Sequence, residues 1–262
     1  MISESLQPFY NNENDIWGKP QTYKGITFYP IKVCETDIKR LFYRILCTPK
    51  KHLQAVEYIK MSYLKFILFT GVAVFKADNK DFEKDLTDFF SYITKCPDVF
   101  IENDGVKLFL RFGDITLTES DFDNVREMIL IQNGLSFRYV EDYDPFLEEK
   151  LMQMIKISGE TTMEDQVFVF VSLLKKTLPE IMDYTMFQFK HHLSRLSALQ
   201  EYNMYRPLEA SGQIKLDNGA KIKGYYSLPL SEGRYDSILI NKDAFIKKAG
   251  FLKDSSVQQI NQ

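Results

Sequence analysis

Apolar and polar positions divide this chain into a series of helices interrupted by short stretches of β character. Over Tyr23–Val33 branched and aromatic residues alternate with polar ones, punctuated by Gly25 and Pro30. A period of two predicts a short strand or hairpin, with Pro30 confined to an edge or bulge. From Thr36 the period lengthens: Ile38, Leu41, Phe42, Ile45 and Leu46 share one helical face, Thr36 or Asp37 stands where an N-cap is wanted, and Pro49 ends the run. Helices are predicted across 54–77 and 80–94, the second burying Phe82, Leu86, Phe89, Phe90 and Ile93 and capped by Asp78 or Asn79.

After Pro97 the period of two returns. Val99–Ile101 and Val106–Phe112 read as two strands joined by a tight Asp104-Gly105 turn, and Ile115–Leu117 as a short third strand. Thr118, three residues before Asp121, then opens a helix running to Asn133-Gly134, and Pro145 opens another to Ile157. Thr161 or Thr162 followed by Glu164-Asp165 starts a further helix. A boundary near Thr177 puts Pro179 in the next first turn. The last long helix runs from Met182 or Thr185 to Tyr202, with Phe189, His192, Leu193, Leu196 and Leu199 inward. Beyond Pro207 the pattern weakens, leaving a third hairpin candidate near 213–223 and a short helix from Asp243 to Phe251.

The fold class is therefore α+β, mainly α-helical, with small β-hairpins near 23–33 and 97–117 and the third candidate near 213–223. Three regions follow: an N-terminal arm over 1–20, an α+β domain over 21–144, and a mainly helical C-terminal region over 145–262 with a small β tail. The apolar run Met61–Phe75 is interrupted by Lys65 and falls short of the ~20 residues a membrane span needs, so a buried helix is expected and no membrane.

Composition narrows the function classes. A chain of 262 residues that is 45% hydrophobic and 26% charged can bury a substantial core, and a formal charge of −3 argues against a general nucleic-acid binder. Charge is uneven along it: residues 81–165 hold 8 Lys/Arg against 20 Asp/Glu, whereas residues 186–262 hold 11 against 7. Such asymmetry is either solvated surface or a means of docking onto a partner or another copy. Cys34, Cys47 and Cys96 lack CxxC spacing, which fits a reducing compartment, and the first residues lack the pattern of a signal peptide.

Catalytic and ligand motifs are not recognisable. His191 and His192 are adjacent and so point to different sides of a helix, the wrong spacing for a shared metal. No GxSxG elbow, GxxxxGK[ST] loop or GxGxxG loop occurs, and Asp81, Asp85 and Asp88 beside Lys84 read as a solvated face. A small hydrolase or nuclease remains as a competing class, but no residue earns a catalytic, cofactor or metal assignment. Aromatic residues make up 14% of the chain, with 15 Tyr concentrated near ends and loops, as protein interfaces favour. Tyr205, Arg206, Lys215, Lys221, Lys223, Tyr225 and Tyr226 interleave aromatic and basic groups, but no ordered nucleic-acid motif accompanies them.

Three segments carry a resemblance. Tyr23–Val33 resembles the N-terminal entry of the tail assembly chaperone and baseplate-hub assembly proteins of tailed bacteriophages. Phe122–Asn133 is similar to a phrase in such proteins, and Tyr184–Gly212 to their C-terminal helix and its Gly-terminated tail. The resemblance implies a non-enzymatic assembly factor in the host cytoplasm that shields tape-measure or baseplate-hub components until the tail is built. Retention in the virion as a minor tail or baseplate component fits it equally. Tyr184, Phe187, Gln188 and Arg195 are the candidate partner contacts, and self-association is a further expectation.

Overall fold

The computed structural model describes residues 2–50, 56–74, 82–154 and 162–212. Eleven α-helices and two small antiparallel sheets make up these residues, the helix-dominated α+β class expected from the sequence. The hairpin candidate near 213–223, the terminal helix from Asp243, the Asp78 or Asn79 cap and the end of the helix at Ile157 lie outside the described residues.

A 3-10 turn at Gln7–Phe9 and α1 (Asn12–Ile16) precede the first sheet. The first twenty residues were expected to stand off as an arm, but they pack on the rest. Leu6 is fully buried, Ser3 N donates to Glu127 Oε1 at 2.9 Å, and Asp15 is sealed between Tyr10 and Gln21. A buried carboxylate needs such partners, and Gln21 Nε2 supplies one at 2.9 Å.

The first hairpin pairs β1 (Gln21–Tyr23) with β2 (Ile26–Phe28) around Lys24-Gly25, both at positive φ. A two-residue turn of that hand matches strand twist and fixes the register Tyr23↔Ile26. The β segment therefore lies at 21–28 rather than 23–33. Residues 29–33 spend their backbone groups elsewhere, Tyr29 N donating to Ile93 O at 2.7 Å.

Next come α2 (Thr36–Leu46), α3 (Val56–Lys60), α4 (Tyr63–Val74) and α5 (Phe82–Thr94). Thr36 is the first helical residue of α2, and Glu35, not Thr36 or Asp37, holds the cap position. The single helix expected across 54–77 is two. It breaks at Met61-Ser62, where Tyr63 N is taken by Asp123 Oδ1 at 3.2 Å. Lys65, the interruption in the apolar run, reaches Val106 O and pairs with Glu119 at 3.0 Å.

The second sheet has the order β3 (Val99–Asn103), β4 (Leu108–Phe112), β5 (Ile115–Thr118). Its first connection is a four-residue loop, Asp104–Lys107, rather than a two-residue Asp-Gly turn. The Asp104 carboxylate accepts Val106 N and Lys107 N at 2.9 and 2.7 Å, which stabilises the longer loop. Leu110, Phe112 and Leu117 point inward, and the Phe90 ring meets those of Phe89, Phe112 and Phe122 at 5.3, 5.9 and 5.6 Å.

The remaining helices are α6 (Glu119–Gln132), α7 (Phe137–Glu141), α8 (Pro145–Met154), α9 (Met163–Leu174), α10 (Leu178–Met182) and α11 (Met186–Ala210). Capping boxes open α6 at Thr118, α9 at Thr162, α10 at Thr177 and α11 at Thr185. In α11, His192 is exposed rather than inward, and the helix continues through Pro207 to Ala210, past the expected end at Tyr202. One buried cluster joins Leu6 to Phe189, drawing on both sheets and on α2, α4, α5, α6, α7, α9, α10 and α11.

Candidate functional site

Backbone hydrogen bonds bind residues 31–34 to the turn between α10 and α11. Met186 N donates to Ile31 O at 2.8 Å, Val33 N to Tyr184 O at 2.9 Å, and Cys34 N to Met182 O at 3.2 Å. Ile31 N is satisfied by Asn133 Oδ1 at 3.0 Å. This strap sets the start of α11 against the core. At that start the Thr185 hydroxyl accepts Gln188 N at 3.2 Å, and Gln188 Oε1 accepts Thr185 N at 3.0 Å. Gln188 Nε2 then donates to Ile16 O at 3.0 Å. One side chain thus caps α11 and holds the peptide that presents Trp17, whose side chain is 70% exposed beside an exposed Ile16. Gly18 completes the display at φ +65°, where a Cβ would press on Thr185 Cγ2 at 3.1 Å.

The four candidate contacts fall into different roles. Gln188 is committed to the cap and to Ile16. Tyr184 is half-buried, stacked on His192 at 5.5 Å and edge-on to Phe170 at 6.1 Å, with Lys176 Nζ 5.3 Å from its ring centre. Hydrogen bonding to Tyr184 holds the Lys176 amine above its ordinary range. Phe187 stacks on His191 at 3.9 Å. Desolvation against the neighbouring rings, partial at the exposed His192, holds both histidines below the usual imidazole range, with the charge of Arg195 adding to the effect at His191 and that of Lys176 at His192. Tyr184, Phe187 and Gln188 therefore cluster at the head of α11, and Arg195 lies two turns further along it.

Sequence reasoning missed the outward face of α9. Val167 and Phe170 are buried, but Phe168, Val169 and Leu173 are 61%, 49% and 43% exposed. The available signal was a helix apolar on every side from 167 to 171, which globular surfaces rarely leave uncovered.

A buried polar network lies deeper, around Arg126 of α6. This side chain is 2% exposed. Its Nε donates to Leu46 O at 2.9 Å, NH1 pairs with Glu141 Oε1 at 2.5 Å, and the guanidinium lies over Tyr63 at 3.5 Å and Phe137 at 5.1 Å. The Tyr63 hydroxyl lies 2.9 Å from both Ile45 O and Thr48 O. Nearby, burial pushes the Cys47 thiol up to about 12 and the Lys190 amine down to about 8, while Lys190 Nζ reaches Asn133 O at 3.2 Å. A thiol held neutral in this way is a poor nucleophile, and the bonds of Arg126 tie α2, α4, α6 and α7 together. Among the described residues no group of three His, Cys, Asp or Glu is placed to hold a metal, and no helix is long and apolar enough to cross a membrane.

No curated protein and no solved structure matches this chain. Residues 156–227, which take in α9, α10 and α11, match the family model described as the YomV second domain, and this similarity suggests a phage protein.

Proposed function

We propose that the chain is a non-catalytic phage protein of tail or baseplate morphogenesis, acting in the host cytoplasm by binding tape-measure or baseplate-hub components. The similarity of residues 156–227 to the YomV second domain supports the phage part of this reading, and the resemblance of Tyr23–Val33, Phe122–Asn133 and Tyr184–Gly212 supports the tail or baseplate part. The contact surface of this reading is the head of α11 with Tyr184 and Phe187, together with Ile16 and Trp17, whose shared peptide Gln188 holds. An exposed tryptophan is the kind of anchor that dominates protein interfaces.

The test is affinity capture of tagged protein from phage-infected cells, paired with mass spectrometry of purified virions. Recovery with tape-measure or hub proteins and absence from virions is the expected result for an assembly factor. A fixed copy number in virions makes it a structural component instead. Recovery with neither set refutes the tail reading and returns a small hydrolase or nuclease to consideration.

A further inference from the structure

The outward face of α9 is complementary to itself. Its exposed positions run 164–165, 168–169 and 172–173, a single stripe at i, i+4 spacing. Glu164 and Asp165 stand at its start, Phe168, Val169 and Leu173 along its middle, and Lys175 and Lys176 just beyond its end. The hydroxyl on the stripe, that of Ser172, donates to Phe168 O at 2.9 Å. Its hydrogen-bonding demand is met within the helix, so covering it leaves no orphaned donor. Asp165 uses Oδ2 for the Thr162 cap, and its charge remains at the solvent-facing start of the stripe.

We propose that this face is the seam of a homodimer, α9 packing antiparallel on α9 of a second copy about a two-fold axis. A two-fold centred between residues 170 and 171 sets Phe168 against Leu173 of the second copy, Val169 against Ser172, and Asp165 against Lys176. Both ends then bring acid to base, whereas a parallel pairing sets acid on acid and base on base. The small Ser172 lets the helix backbones approach closely at the centre. A seam of about three turns is small for a protein interface, and its affinity belongs in the micromolar range. The dimer does not depend on the tail reading, because it is measured on the purified chain alone.

The test is sedimentation velocity of the full chain over a wide concentration range. A reversible shift from 30.7 kDa to twice that mass is expected. Phe168→Glu, at a position already exposed, should keep the circular dichroism spectrum and raise the dimer Kd by about 100-fold or more, since two phenyl contacts are lost per dimer. Lys176→Glu should weaken association, because it sets acid against Asp165 of the second copy at both ends of the seam. A wild-type chain that stays monomeric throughout overturns the proposal. So does a dimer indifferent to Phe168→Glu, which must use another surface.

Discussion

Replacing Arg126 with Met tests whether a buried cation helps or burdens this core. The change removes a charged hydrogen bond to Leu46 O, which is worth about 2 kcal/mol. The guanidinium over Tyr63 adds about 1–2 kcal/mol where water is excluded. The ion pair with Glu141 adds roughly 1 kcal/mol or less, because that carboxylate is 25% exposed and can turn to water. Against this loss of about 4 kcal/mol, a methionine that avoids desolvating a charge while filling similar space returns about 1–2 kcal/mol. The expected net is a destabilisation of about 2–3 kcal/mol, a large share of the roughly 5–15 kcal/mol typical of a domain. Urea unfolding at pH 7 should show a lower midpoint at unchanged m, and thermal scans a Tm lower by about 5–10 °C. A change under about 1 kcal/mol, or any stabilisation, refutes the reasoning: the cost of burying the guanidinium would then equal its bonds.

Three further outcomes follow from the geometry. Lys190 has a folded pKa of about 8 against 10.5 unfolded, so between those values the unfolded chain holds more protons and stability from this group rises with pH. Lys190→Met should therefore look best relative to wild type near pH 7, by about 1 kcal/mol after discounting for solvent access, and lose that advantage towards pH 10; parallel urea midpoints across this range would contradict it. Gly134→Ala meets φ +71° together with Phe187 Cα at 3.2 Å and should cost about 2–3 kcal/mol, whereas Gly105→Ala, at φ +89° with open space, should cost about 1 kcal/mol; equal losses in chemical denaturation would disprove the packing component. Trp17→Ala should change stability by less than about 0.5 kcal/mol yet abolish capture of tail proteins, and undiminished capture would remove Trp17 from the contact surface.

Local chemistry was legible in the sequence, and long-range chemistry was not. Thr118 with Asp121 and Thr162 with Asp165 mark helix starts three residues apart, so their capping boxes need no tertiary information. The break at Ser62 has a local half, its hydroxyl accepting Lys65 N at 3.4 Å as a helix cap does, and a distant half that sequence does not show, Asp123, 60 residues away, claiming Tyr63 N. The N-terminal twenty residues look polar and arm-like, but Asp15, Tyr10 and Gln21 satisfy one another and so can be buried. Arg126 reads as one more surface charge until Leu46 O, Tyr63 and Phe137 close around it. The head of α11 was expected to be a contact region from a resemblance, whereas the use of Gln188 to hold the Trp17 peptide required a contact 172 residues apart in sequence.

The strap between residues 31–34 and 182–186 also bears on how the chain is made. A ribosome releases residues 31–34 long before Met186 appears, so their backbone groups wait in water while about 150 residues are synthesised. Closing so long a loop is entropically slow, and the turn before α11 can dock only once residue 186 has left the ribosome. Until then the edge formed by Ile31, Val33 and Cys34 is open to any extended segment that passes, including the same edge of a neighbouring nascent chain on one polysome. The order of synthesis thus makes completion of α11 the step that ends this chain's exposure to mispairing.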